Sequence, residues 1–257
     1  MKSMMLVSLL LVTVAFAAAP APQPHVKTAA ELSWEAIPDT LPDAEQVTVA
    51  RDYLDKYPTE IPLLRSVQNV LNRKSDLTLD FWLERMNANP STANRYLYAR
   101  KSGDIEIMKA QADMIIQNDS ENFWGYYLAA VAEWSKDEPN MDVVIGYFEQ
   151  AIPKDPSRPE GWGYAAQAYE EKEDWDNALR MYQAALVVSP EGKSTKMSIL
   201  GIYAQKKDAD AYFKLAGELL PMEPPLSIEL GMHNSSHKVT ASDFSGQYTV
   251  LELFTYW

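Results

Sequence analysis

The sequence predicts a mainly α-helical fold, a solenoid of helix-turn-helix units followed by a short β-hairpin and strand segment. Proline or short polar breaks recur between residues 58 and 221 at intervals of 30 to 36 residues. Each interval contains two amphipathic helical patterns, an arrangement that is typical of helical repeats. After Pro221 the apolar residues alternate instead with polar ones, which indicates β structure.

Composition excludes several classes of function. The chain has 257 residues, is 47% hydrophobic and carries a formal net charge of −13. An acidic balance of this size disfavours nucleic acid and anionic membrane surfaces as partners. Because the sequence contains no cysteine, disulfides, thiolate metal sites and a cysteine nucleophile are excluded. We predict no catalytic residue, no cofactor and no metal site.

The N-terminus has the pattern of a signal peptide over residues 1–17. Lys2 precedes an uncharged stretch from Met4 to Ala19, which is short for a membrane span of about 20 residues. Cleavage after Ala17 would give an exported protein, periplasmic or extracellular, with no stable membrane anchor. A retained anchor or a buried helix is the alternative. Residues 18–42 are rich in proline and alanine, which predicts a disordered linker.

The predicted solenoid extends over residues 43–221, and its clearest repeats are 121–158, 159–192 and 193–221. In the second of these, aromatic and small residues occupy the places of a known repeat pattern: Trp162, Ala166, Tyr169, Ala178, Tyr182, Ala185 and Pro190. This pattern resembles the tetratricopeptide repeat (TPR). Small residues allow two helices to approach closely, and the aromatic residues fill the remaining space.

The neighbouring repeats show the same pattern less completely. Trp124, Leu128 and Phe148 take corresponding places in the preceding unit, and Leu200, Tyr203 and Phe213 do so in the following one. Upstream of residue 121 the pattern is weaker. Those segments are either degenerate helical hairpins that extend the solenoid toward Asp43 or an unrelated helical cap.

TPR-like arrays bind partners on a concave face formed by the first helix of each unit. The sequence places these residues on that face: Tyr126, Ala129, Glu133, Glu160, Tyr164, Gln167 and Glu171. A groove with this aromatic and acidic composition predicts a basic or apolar protein or peptide partner. It does not resemble the carboxylate-clamp TPR proteins, which need cationic and amide side chains. The alternative is an ordinary solvated helix face.

Five acidic residues between Glu170 and Asp176 could suggest a cation site. The run contains no glycine for the tight turn of a calcium loop, and Lys172 and Trp175 interrupt it. The sequence therefore predicts a solvated turn in which Asp174 caps the next helix.

Residues 222–257 predict β structure. A hairpin is expected around His233 to His237, followed by a turn and the strand-forming run 248–257. With Asp243, Phe244 and Gly246 in the turn, this segment resembles the beginning of a thioredoxin-like domain of the TlpA or AhpC/TSA type. The sequence ends at Trp257, where that family places its Cys-x-x-Cys pair.

Two hypotheses for the whole chain follow. In the first, it is an exported TPR interaction module attached to the start of a thiol-disulfide oxidoreductase domain whose catalytic part is missing. In the second, it is a complete periplasmic TPR adaptor with no redox role. Under either hypothesis we expect no enzymatic activity from this chain, because thiol-disulfide exchange requires a thiolate.

Overall fold

The computed structural model describes residues 20–219 together with residues 230–231 and 238–239. The chain divides into two compact units, Met1–Ile202 and Tyr203–Trp257. All features of the candidate site described below belong to the first unit.

The described residues form twelve α-helices and one short 3₁₀ turn, Ile152–Lys154. In chain order the helices are α1 (Ala29–Glu35), α2 (Asp43–Lys56), α3 (Ile61–Lys74), α4 (Leu79–Ala88), α5 (Thr92–Ser102), α6 (Ile105–Asn118), α7 (Phe123–Trp134), α8 (Met141–Ala151), α9 (Pro159–Glu171), α10 (Trp175–Val188), α11 (Lys193–Gln205) and α12 (Ala209–Leu219).

Helices α2 to α10 form a stacked array. Helix α2 packs against α3, and from α4 to α10 each helix packs against the next one in the chain, most extensively in the pairs α6 with α7, α7 with α8 and α9 with α10. In addition, α3 contacts α5 and α5 contacts α7, so alternate helices lie side by side. This stacking confirms a TPR-like helical repeat. The helices upstream of residue 121 stack in the same way.

The core of the best-matching repeat is built as the pattern predicts. Ala166 and Ala178 are completely buried, and only 4% of Trp162 and 2% of Tyr182 remains exposed. The indole Nε1 of Trp162 donates a hydrogen bond to Pro156 O over 3.0 Å. Burial of these aromatic side chains between helices is the main source of stability for such a unit.

Short polar side chains cap the N-termini of several helices. The side chains of Asp104, Asn122, Asn140 and Asp174 accept hydrogen bonds from backbone N–H groups of the first turns of α6, α7, α8 and α10. The cap at Asp174 confirms the interpretation of the acidic run as a capped turn. Gly103 ends α5 in the left-handed conformation, with φ of 62°, which glycine adopts without steric cost.

The predicted disordered linker at residues 18–42 contains a helix, so the prediction is wrong at residues 29–35. Residues 29–35 form α1, which packs on α3 and buries Ala30. Thr28 and Glu31 form a reciprocal capping box: Thr28 Oγ1 accepts from Glu31 N over 3.1 Å, and Glu31 Oε2 accepts from Thr28 N over 2.7 Å. These two bonds satisfy backbone donors that would otherwise be unpaired at the helix start.

The predicted fold class is also corrected at its C-terminal end, because the described chain is helical. Its β structure is confined to Leu230–Gly231 and Lys238–Val239, which pair antiparallel with Leu230 opposite Val239. Within the described ranges these two strands form one two-stranded sheet, and no thioredoxin-like sheet is present there. The predicted turn at Asp243 and the strand at residues 248–257 lie outside the described residues.

No helix among the described residues is both long and apolar enough to cross a membrane.

Candidate binding cleft

A cleft of about 440 Å³ lies among α3, α5, α7 and α9, which are alternate helices of the array. We refer to it as the cleft. Its lining combines two guanidinium groups with aromatic and aliphatic side chains: Arg65, Tyr96, Arg100, Gly103, Met108, Tyr127, Leu128, Val131, Trp134, Ser135 and Tyr164.

Tyr127 is the centre of the aromatic wall. Its ring centroid lies 6.2 Å from that of Tyr96, 5.7 Å from Tyr164 and 5.9 Å from Phe148. Tyr164 in turn stacks on Phe148, with centroids 6.0 Å apart, and contacts the edge of Trp134 at 6.3 Å. The contacts join α5, α7, α8 and α9, so the wall is held from several helices. Its partly exposed members, Trp134 and Tyr164, are the ones that can contact an apolar group.

Arg65 closes one side of the cleft. It forms an ion pair with Glu160 on α9, and its guanidinium lies 5.5 Å from the ring centroids of both Trp124 and Tyr127. Burial by itself lowers the pKa of Arg65, but the surrounding tyrosines and Glu160 outweigh burial and raise it. Arg65 is therefore a charged group whose charge is already matched within the protein.

Arg100, on α5, has a different environment. It donates hydrogen bonds to Gln68 Oε1 and Asn69 Oδ1, both over 2.7 Å, and forms no ion pair with a carboxylate of the described residues. Gln68 is itself fixed, because its Nε2 donates to Leu97 O over 2.7 Å. Burial lowers the pKa of Arg100, yet a guanidinium stays protonated at neutral pH. A positioned cation thus faces the cleft with only amide partners.

The tyrosine hydroxyls of the cleft stay protonated. Burial raises the pKa of Tyr96 to about 12 and raises that of Tyr127 well above its usual value. At neutral pH both hydroxyls are therefore neutral. Arg100, whose partners are amides, therefore provides the unmatched positive charge of the cleft.

The structure brings together only part of the predicted concave face. Of the four residues predicted on α9, Tyr164 lines the cleft and Glu160 reaches it through Arg65. Gln167 and Glu171 are exposed farther along the helix, where Glu171 accepts a hydrogen bond from Trp134 Nε1 over 3.2 Å.

On α7 the predicted residues lie elsewhere. Tyr126 donates to Ser120 O over 3.2 Å and lies beside Lys154, while Ala129 is buried. Glu133 pairs with Lys136 over 2.5 Å, which lowers the pKa of Glu133. Tyr126, Ala129 and Glu133 therefore do not line the cleft, where α7 presents the neighbouring stripe. Five residues of that stripe and of the following turn line the cleft: Tyr127, Leu128, Val131, Trp134 and Ser135.

The sequence interpretation missed Arg65 and Arg100, the two cationic residues that line the cleft. Both belong to upstream helices that lack the full repeat pattern. A usable signal was present in α5, where Tyr96 and Arg100 are four residues apart and therefore share one helix face.

A metal site has no support within the described ranges, where no group of three or more His, Cys, Asp or Glu side chains is placed to hold an ion.

Comparison with known proteins finds similar solved structures at low sequence identity. The crystal structure of MamA protein is 18% identical, covers 74% of this chain and 100% of that chain, and has a TM-score of 0.47. MamA 41-end from Desulfovibrio magneticus RS-1 is 12% identical, with coverages of 69% and 95% and a TM-score of 0.49. TTC0263, a thermophilic TPR protein in Thermus thermophilus, is 12% identical, with coverages of 71% and 93% and a TM-score of 0.48.

No protein-family model matches the chain, and no curated protein sequence does. The thioredoxin-like resemblance receives no support from these comparisons. The stacked helices described above give the chain a TPR-like helical repeat fold.

Proposed function

We propose that this chain is a protein-interaction module that binds a segment of a partner protein in the cleft. The observation that carries the proposal is Arg100, a cation beside an aromatic wall whose partners in the described part of the chain are amides and not carboxylates. A concave surface with apolar walls and a few fixed polar groups is the usual form of a binding site.

The charges within the cleft define the chemistry of the bound segment. An aromatic or large apolar side chain would lie against Trp134 and Tyr164, which are partly exposed, and a neighbouring acidic side chain would pair with Arg100. The sequence suggested a basic or an apolar partner, and this proposal keeps the apolar alternative and replaces the basic one by an acidic one. The three acidic groups behind that suggestion lie outside the cleft lining and already have partners: Glu133 in Lys136, Glu160 in Arg65 and Glu171 in Trp134.

The proposal is tested by peptide binding to the whole chain. Fluorescent peptides that place an aromatic residue next to an aspartate are compared with matched peptides in which lysine replaces the aspartate. We expect binding of the acidic set only, and Arg100→Gln should weaken it roughly 10- to 100-fold. A hydrogen bond to a charged group contributes about 1.5–3 kcal/mol, which corresponds to that loss.

Arg180→Gln is the matched control. Arg180 is exposed on α10, a helix that does not line the cleft, and its side chain bonds Asn177 over 3.1 Å. This variant should bind like the unchanged protein. Preference for the lysine peptides, or equal losses in the two variants, would contradict the proposal.

The proposal includes no redox step. The sequence contains no cysteine, and thiol-disulfide exchange begins with the attack of a thiolate.

A further inference from the structure

Helices α3 and α9 are connected directly, although α4 to α8 separate them in sequence. Arg65 on α3 pairs with Glu160 on α9. In an ordinary solenoid each repeat contacts only its neighbours, so a bond between these helices indicates tight curvature around the cleft.

A second connection runs through residues 20–28, which precede α1 and which we call the strap. Gln23 N donates to Pro156 O over 3.3 Å, and His25 N donates to Val188 O over 3.0 Å. At the other end, Thr28 Oγ1 donates to Glu60 Oε2 over 2.8 Å, just before α3 begins. The strap therefore links the hairpin of α9 and α10 to α3.

The two acceptors of the strap are well defined. Val188 is the last residue of α10, so its carbonyl is one of the four that lack a partner inside the helix. Pro156 O also accepts the indole N–H of Trp162, which fixes its position. The helices hold both carbonyl acceptors in place, so the positions of these acceptors do not depend on the strap.

The strap is attached by few contacts, which also include His25 Nε2 at 3.4 Å from Glu31 Oε1 on α1, a contact that His25→Pro removes together with the backbone bond. None of its side chains is fully buried, and Val26 is 82% exposed. Pro20, Pro22 and Pro24 restrict the segment to extended conformations, which reduces the conformational entropy that is lost on docking. Such a segment can dock in one conformation and still be released without unfolding a helix.

We propose that the strap holds the array in its closed curvature and that its release allows α3 and α9 to separate, which opens the cleft. The Arg65–Glu160 pair bridges the same two helices from inside, so it is the contact that separates when the strap is free.

The test measures the separation of α3 and α9 in the whole chain. Because the sequence has no cysteine, the exposed pair Ser66→Cys and Gln167→Cys can be spin-labelled without background. Pulsed electron paramagnetic resonance then gives the label distance with and without the double change Gln23→Pro and His25→Pro. Proline removes the two donating N–H groups and keeps an extended backbone.

We expect one narrow distance population in the unchanged strap and a longer, broader one in the double-proline chain. Ala21→Pro is the control, because Ala21 is exposed and the same substitution there leaves both donors in place. Its distances should match those of the unchanged strap.

Superimposable distributions in the double-proline and unchanged chains would overturn the proposal, as would an equal shift in the Ala21→Pro control. If circular dichroism shows that the double variant has lost helicity, the same label distance is measured in the single variant His25→Pro. It removes the shorter of the two bonds and must broaden the distribution.

Discussion

Buried tyrosines are the residues whose chemistry the fold changes most. Burial raises the pKa of Tyr96 to about 12, and burial together with a hydrogen bond to Glu170 raises that of Tyr182. Burial and a hydrogen bond to Glu149 act in the same direction on the pKa of Tyr169. Each of these groups keeps its proton in the folded protein at a pH where an unfolded tyrosine, with a pKa near 10, has lost it.

This difference predicts a loss of stability in alkali. Between about pH 10 and 12 the unfolded state binds fewer protons than the folded state, so the free energy of unfolding falls as the pH rises. Each such tyrosine contributes up to about 1.4 kcal/mol per pH unit. Replacing Tyr96 by Phe should therefore make the fall less steep, measured by urea unfolding between about pH 9 and 11.5. Parallel curves for the two proteins would contradict the burial of its hydroxyl.

The structural roles of residues in the repeats are partly predictable from the sequence. Asp174 was identified as a helix cap because a short acidic side chain after a polar turn has few other structural roles. The position of Tyr127 was not predicted. It differs from Tyr126 by one residue, or about 100° around a helix, and only the packing of α5 and α9 on both sides of α7 decides which of the two faces the cleft.

At the scale of elements, glycine controls one of the closest helix contacts. A Cβ atom at Gly125 on α7 would lie 2.7 Å from Ile116 Cγ1 and 3.0 Å from Ile115 Cγ2, both on α6. By contrast, a Cβ at Gly146, inside α8, would meet no atom within 4 Å. The two helices α6 and α7 can therefore pack at this distance only without a side chain at residue 125.

These two glycines should respond oppositely to alanine. Gly125→Ala should lower the free energy of unfolding by roughly 1–2 kcal/mol, because overpacking outweighs the better helix propensity of alanine. Gly146→Ala should raise it by roughly 0.5–1 kcal/mol, because only the propensity changes. Urea denaturation of both variants measures these effects. A stabilised Gly125→Ala protein would mean that α6 and α7 are farther apart than described.

Helix α1 shows how composition can conceal an element. The region was interpreted as a linker because prolines and alanines surround it, yet the sequence Thr28-Ala29-Ala30-Glu31 is a capping box that can be recognised without coordinates. The later helices were easier to predict, because aromatic residues such as Trp162 and Tyr182 recur at spacings that stacked hairpins explain. The contact of Arg65 with Glu160 was not predictable, since it depends on the curvature of the whole array.

For the molecule as a whole, the N-terminal pattern predicts export with cleavage after Ala17. The expected product begins at Ala18, two residues before the strap. Expression of the full sequence in a bacterium, followed by cell fractionation and intact-mass measurement of the exported protein, checks this prediction. Recovery of the chain only in the cytoplasm with residues 1–17 attached would contradict it. A variant with Leu9→Arg and Leu10→Arg, which interrupts the apolar stretch, should be retained and serves as the control.

The ion pair between Arg65 and Glu160 also affects how the helices around the cleft unfold. Open repeat arrays lose their terminal units one at a time, because each unit is stabilised only by its neighbours. Here the helix that begins at Ile61 and the helix that begins at Pro159 share a bond, so neither is a free end. We therefore expect the helices from α3 to α9 to unfold more cooperatively than the helices of an open array.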